Sequence, residues 1–225
     1  MDTLFNPPLE PIVPEINEML VVREDNDVND VNGANGANPK LVVLDLDFTL
    51  WPFDCGSNSN MAPFRRSIGG IIVDRFGRMS NPYKDVLGIL SSLVNNDIPI
   101  AICSRNPDIH SIANLMSLMR FDCKKGNISL LDCLPNTNYI HAYSSDKTGG
   151  KNKHFTALKA ATGVDFNQMI FFDDLLENIT FAVKMGITSV LVKEGLTWEA
   201  IRIGVEAWRS RSSSISQTEK KLKSH

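Results

Sequence analysis

Cysteine is scarce in this chain, and none of it is arranged for chemistry. Cys55, Cys103, Cys123 and Cys133 include no C-x-x-C pair, so the ligand spacing of a structural zinc site is missing and no dense disulfide framework can be drawn through them. None of the four has an arginine six positions later. That excludes the phosphate-cradling loop in which a cysteine thiolate attacks phosphorus. No apolar run approaches the ~18 residues of a membrane-spanning helix. The opening MDTLFNPPLEPIVPE lacks the basic start and apolar stretch of an export signal. A soluble protein of the cytoplasm or nucleus is expected. An excess of one charge is missing too: a formal net charge of −3 predicts no general affinity for nucleic acid or an anionic membrane.

What is present is one core's worth of apolar sequence between two polar ends. At 225 residues and 43% hydrophobic content, a single domain is expected. Residues 1–38 combine a proline-rich opening with REDNDVNDVNGANGANP, an acidic, Gly/Asn-rich tract that buries too little apolar surface to offset its ordering entropy. They read as a flexible arm. Residues 209–225, RSRSSSISQTEKKLKSH, are serine-rich and basic without apolar periodicity. They read as a flexible tail, suited to protein contacts.

Between the ends, residues 39–208 alternate two patterns. LVVLDL, IPIAICS, YIHAYS, MIFF and ITSVLV are strand-length and nearly continuous in apolar residues, as in a parallel sheet covered on both faces. PYKDVLGILSSLVNN, PDIHSIANLMSLMR, KHFTALKAATG, LLENITFAVKMG and TWEAIRIGVEAW have helical periodicity, two of them with proline in the first turn. The fold class expected is α/β, a doubly wound and mainly parallel Rossmann-like sheet.

Such sheets bind ligands beyond the carboxyl ends of their strands. At those ends stand Asp45, Asp47 and Thr49, then Ser104 and Arg105, then Asp173 and Asp174, with Lys151 and Lys153 opening the helix before the last pair. Each cluster alone has a plainer reading, as helix caps, turn residues or solvated charges. Convergence of all four on one edge is what points to a site. Carboxylates gathered there repel unless a cation joins them, and all-oxygen ligands favour Mg²⁺, which shares its coordination with substrate phosphate.

LVVLDLDFTLWPF, with D-x-D-x-T after an apolar strand, resembles the first motif of the haloacid dehalogenase superfamily. IAICS resembles the second, KNKHF the lysine motif and MIFFDD the closing acidic pair. DLDFTLWPF, DRFGR, SRNPDI, the K-x-x-H-F spacing and FFDDLLENI together resemble the type 1 magnesium-dependent phosphatases over residues 38–208. The resemblance implies a Mg²⁺-dependent phosphatase acting on phosphorylated small molecules or phosphoproteins, with Asp45 as nucleophile and Asp47 as general acid and base. It implies metal binding by Asp45, the Asp47 main chain and Asp174, with Asp173 supporting the lysine and the waters on the metal. Ser104, Arg105, Thr49 and the lysine would serve the phosphoryl group, and Thr49 would steady Asp47. The family spacing selects Lys151 over Lys153, although both remain candidates.

Two intervals could carry a cap domain. The first, between LVVLDLDFTL and the next strand, is expected to hold a short β-hairpin with turns at Gly69–Gly70 and Gly77; the second, a helix and a loop. An open site follows. Arg65, Arg66, Arg75, Arg78 and Arg105 form either a basic rim or scattered solvated charges, and Trp51 and Phe53 either stack on substrate or pack beneath the loop. A receiver domain would place its acidic pair after the first strand and its phosphorylated aspartate later, the reverse of the order here. A nucleotide-binding P-loop fails at Ser145 and Asn152. The remaining alternative is a catalytically silent phosphate-binding scaffold of the same fold.

Overall fold

A computed structural model describes residues 38–144 and 150–223. The expected N-terminal arm lies outside these apart from its last residue. In chain order the elements are β1 (Leu41–Leu44), β2 (Arg65–Arg66), β3 (Ile72–Val73), α1 (Val86–Asn95), β4 (Ile100–Ser104), α2 (Ile109–Leu118), β5 (Arg120–Cys123), β6 (Gly126–Ser129), α3 (Leu130–Cys133), β7 (Ile140–Ala142), α4 (Asn152–Thr162), β8 (Met169–Asp173), α5 (Leu176–Lys184), β9 (Thr188–Leu191) and α6 (Trp198–Lys223).

Five strands make one sheet in the order β7-β4-β1-β8-β9, and every pair in it is parallel. Alternation along each strand divides the apolar residues between two cores. Val42, Leu44, Ile100, Ile102, Ile170 and Phe172 face α1, α2 and α6, while Leu41, Val43, Ala101, Cys103, Met169 and Phe171 face α4 and α5. A one-residue slip would exchange the two faces, so burial on both sides fixes the register. This is the doubly wound sheet the apolar runs predict. β1 lies at its centre, between two strands that leave it in opposite directions, which is where such sheets open a crevice.

Helix α6 comes close to the sheet because Gly204 has no side chain. A Cβ there would sit 2.9 Å from the Phe172 ring and 3.1 Å from Ile170. The helix also runs on to Lys223, past Trp208, where the apolar periodicity ends and where the sequence suggests a tail.

The first interval carries the expected hairpin, β2 paired antiparallel with β3. The second departs from expectation. After α2 it holds not a loop but a second hairpin, β5 with β6, followed by the short helix α3. Its turn is built on Lys124 and Lys125, between the paired Cys123 and Gly126. Those lysines carry no turn signature, and four-residue strands show too little alternation to be read. Among the described residues no helix is long and apolar enough to cross a membrane.

Candidate active site

Where β1 ends, the chain turns tightly: the Thr49 and Leu50 amides both donate to the Leu46 carbonyl, at 3.1 and 2.8 Å. The Leu196 amide holds this turn from the segment before α6 by donating to the Thr49 carbonyl at 2.9 Å. Asp45, in the first position after the strand, is buried. Its carboxylate accepts from the Lys151 ammonium and, at 3.4 Å, from the Thr49 hydroxyl. Thr49 therefore steadies Asp45 and not Asp47, contrary to expectation. It is wholly buried, because the helical turn brings its side chain back under residue 45, and it does not line the cavity.

Lys151 immediately precedes α4 and is fully buried. Besides Asp45 it donates to Asp173 Oδ2 at 2.6 Å, and its Nζ lies 5.2 Å from the centroid of the Phe171 ring. Gly150 makes this placement possible. It has φ +51°, and a Cβ on it would stand 2.4 Å from the Phe181 ring. Lys153, two residues on, is exposed. Of the two candidate lysines, Lys151 is the one in contact with Asp45 and Asp173.

Asp173 closes β8. Its oxygens also accept from the Leu175 amide at 2.8 Å and from Asn178 Nδ2 at 3.0 Å, so its hydrogen-bonding capacity is largely used. Asp174 turns to the cavity. Asp45, Asp173 and Asp174 each offer an oxygen within 4.8 Å of the others. Burial pushes the Asp45 carboxyl up to about 7, against the pull of Lys151 and with the help of Asp173. Burial and the Asp173 charge raise Asp174 to about 6. One ammonium does not compensate three carboxylates, and the set is chemically short of a cation.

Asp47 stands outside that cluster. Its Oδ1 accepts from Trp51 Nε1 at 2.7 Å and from the Cys55 amide at 3.0 Å, and its Oδ2 from Asn106 Nδ2 at 2.8 Å. Trp51 is therefore a core residue, fully buried, with its one polar atom on Asp47. Phe53 stacks between Trp51 and Phe64; neither aromatic ring forms a substrate platform.

Ser104 ends β4. Its Oγ accepts from the Asn106 amide at 3.2 Å, which leaves its own hydrogen for the cavity. His154, of the K-x-x-H-F spacing, places Nε2 2.9 Å from the Ser104 carbonyl and 3.0 Å from that of Tyr143, tying the ends of β4 and β7 together. Two acceptors at Nε2 require the hydrogen there, and burial pushes this imidazole down to about 4. It is a neutral brace.

Asp45, Asp47, Ser104, Arg105, Lys151 and Asp174 line one cavity of about 420 Å³, walled on its other side by Asp54, Gly56 and Asn58. Of the five arginines proposed as a rim, only Arg105 is there, paired with Glu177 at 3.2 Å. Arg66, Arg75 and Arg78 are engaged on or beside the first hairpin, with the Leu118 carbonyl, Asn60 and Asp74. Asn106 and Asn178 are the site residues that sequence reasoning missed. Asn106, in NPD, carries an ordinary turn signature, and Asn178 lies on a helix face with no charge to mark it.

The acid phosphatase family profile matches residues 37–211. Human magnesium-dependent phosphatase 1 is 33% identical over 170 residues, 76% of this chain and 87% of that protein. A HAD-like hydrolase superfamily protein of Schizosaccharomyces pombe is 32% identical over 142 residues, 62% of this chain and 78% of the relative. A HAD-superfamily hydrolase from Ehrlichia chaffeensis superposes over 76% of this chain and 98% of its own with a TM-score of 0.49 at 11% identity, a likeness too loose to add to the topology.

Proposed function

The chain belongs to the acid phosphatase family of haloacid dehalogenase-type enzymes, and from that premise we propose that it is a Mg²⁺-dependent phosphomonoesterase working through an aspartyl-phosphate on Asp45. The observation that carries the reading is the buried Lys151 bridging Asp45 and Asp173 beside the half-buried Asp174. A purely structural ion pair has no need of a third carboxylate facing a cavity.

The donor set fits the metal. Asp45 and Asp174, with the Asp47 main-chain carbonyl, are the groups to hold Mg²⁺, whereas Asp173 is committed to Lys151 and Asn178. When bound, the ion supplies Lewis-acid polarisation of the phosphoryl group. In the first step an Asp45 oxygen forms a bond to phosphorus as the bond to the leaving oxygen breaks, and that oxygen takes a proton from Asp47. In the second step water attacks the aspartyl-phosphate and gives its proton to Asp47, releasing inorganic phosphate and free Asp45. The Ser104 hydroxyl donates to a phosphoryl oxygen. Lys151 offsets charge on the phosphoryl group and on Asp45.

The two inserted hairpins contribute nothing to the cavity lining, so among the described residues no cap covers it. An open mouth suits phosphorylated protein side chains of the phosphotyrosine type as well as sugar phosphates.

The test is rapid-quench labelling with a generic aryl phosphate in Mg²⁺. Wild type is expected to turn over. Asp45→Asn should show neither turnover nor label, while Asp47→Asn should lose about 10²–10⁴-fold in rate and accumulate phosphoryl-enzyme labelled on Asp45. Label on another residue refutes the mechanism, and a wild type that binds phosphate esters without turnover is a silent scaffold.

A further inference from the structure

Asn106 lies two residues beyond Ser104, and its two amide atoms face different parts of the site. Its Oδ1 accepts from the Asp108 amide at 2.9 Å, a closed turn at the entrance to α2. A backbone N–H can only donate, so this contact fixes the orientation of the side-chain amide. Nδ2 must then be the atom 2.8 Å from Asp47 Oδ2, and the second carboxylate near it, Asp54 Oδ1 at 3.5 Å, agrees.

The distribution of donors over Asp47 is uneven. Each carboxylate oxygen has about two lone-pair sites. Both sites of Oδ1 are filled, by Trp51 Nε1 and the Cys55 amide. Among the described residues the hydrogen bond to Oδ2 comes from Asn106, with the Cys55 thiol also beside this carboxylate. A carboxylate held by three donors from two separate loops cannot rotate without breaking them, so its orientation is set before substrate arrives.

We propose that Asn106 is the positioning residue of Asp47, and that with Trp51 and the Cys55 amide it leaves Oδ2 as the one oxygen of that carboxylate through which protons pass. This rests on the reading of Asp47 as acid and base. It adds a division of labour: the turn that presents Ser104 to the phosphoryl group also aims the proton carrier, so phosphate recognition and proton transfer share one short loop.

Asn106→Ser separates the two roles of the side chain, because its hydroxyl can still accept from the Asp108 amide in a serine turn, adds no charge, and is too short to reach Asp47. With p-nitrophenyl phosphate in Mg²⁺, the thermal midpoint and KM should stay close to wild type while kcat falls by about 10²-fold, the cost of roughly 1 Å of misplacement. Because this leaving group needs little protonation, the second step should suffer most and labelled phosphoryl-enzyme should accumulate. Phenyl phosphate, with the poorer leaving group, should show a larger deficit. Trp51→Phe keeps an aromatic ring at a smaller volume and loses the N–H to Oδ1; it should show the same accumulation, and Asn106→Ala, which loses both contacts, carries the test if Asn106→Ser does not fold. Unchanged kcat and no accumulation in a folded variant overturn the proposal. If Asp47→Asn is itself fully active, the acid–base reading has failed instead, and the two failures are told apart within the same assay.

Discussion

Replacing Lys151 by methionine isolates a single charge in the middle of the site. Methionine keeps most of the apolar stem against Phe171 and removes the ammonium that Asp45 and Asp173 share. Both carboxylates are then buried without a counter-ion, left with neutral donors only. Removing one member of a buried ion pair costs about 3–5 kcal/mol; the Asp45 carboxyl, already pushed up to about 7 by burial, puts the expectation at the lower end, ~3 kcal/mol. For a domain of this size that is a fall of roughly 6–12 °C in thermal midpoint. Magnesium should recover much of it, since a ligand present at 100 times its dissociation constant stabilises by about 2.7 kcal/mol, and the vacated Asp45 oxygen improves the site for a cation. Turnover should not recover. Loss of one donor to the developing phosphoryl charge costs about 10²–10³-fold. Thermal denaturation with and without Mg²⁺, alongside aryl phosphate turnover, reads both effects. A variant that melts with the wild type and keeps its rate refutes the placement of the lysine, and a Lys153→Met protein that is inactive instead would move the role to Lys153.

Chelation should abolish turnover and Mg²⁺ restore it, with Ca²⁺ a poor substitute because its larger, looser coordination disturbs in-line attack; full activity in excess chelator excludes the metal. Gly150→Ala places a methyl into the Phe181 ring at a backbone angle that disfavours side chains. It should cost more than ~1 kcal/mol and lower kcat through Lys151, as read by denaturant melts and initial rates. His154 is neutral in the fold down to about 4 against an ordinary 6.5, so the unfolded chain binds the extra proton between those values. Stability should be full above pH 6.5 and fall toward pH 4 by up to ~3 kcal/mol; His154→Gln, which still offers a donor but does not titrate, should flatten the difference curve, and parallel curves would refute the assignment. A chain trimmed to residues 38–212 should melt and turn over like the full chain, because the two cores close with Trp208; a lost thermal transition would show that an end belongs to the core.

The sheet was readable because its three inner strands are apolar on both faces, and a chain so patterned has few other ways to bury itself. The first carboxylate, the serine and the closing acidic pair were readable for a related reason: polar atoms directly behind an apolar strand have only the sheet edge to occupy. What escaped were contacts made by groups with a local alternative. Asn106 already satisfies a turn through Oδ1, and its second contact crosses 59 residues to Asp47. Thr49 was assigned to the nearer carboxylate in sequence, whereas a helical turn of four residues returns it to Asp45. The β5–β6 hairpin has strands too short for periodicity to mark, and its one turn signal is Gly126, at φ +95° directly after the two lysines.

The central position of β1 also orders events during synthesis. Leu41–Leu44 leave the ribosome before either neighbour exists: β4 begins at Ile100, and β8, which carries Asp173, begins only at Met169. This wholly apolar strand therefore has both hydrogen-bonding edges open until β4 is made, and the edge that β8 will cover stays open until Met169, the kind of segment that aggregates or engages a chaperone. Chemistry is delayed equally. Asp45 is among the first residues of the domain to be made, yet its lysine arrives at position 151 and its acidic partners at 173 and 174. A nascent or truncated chain ending before Asp174 lacks one of the three clustered carboxylates, so the cluster is completed only when this one late strand docks.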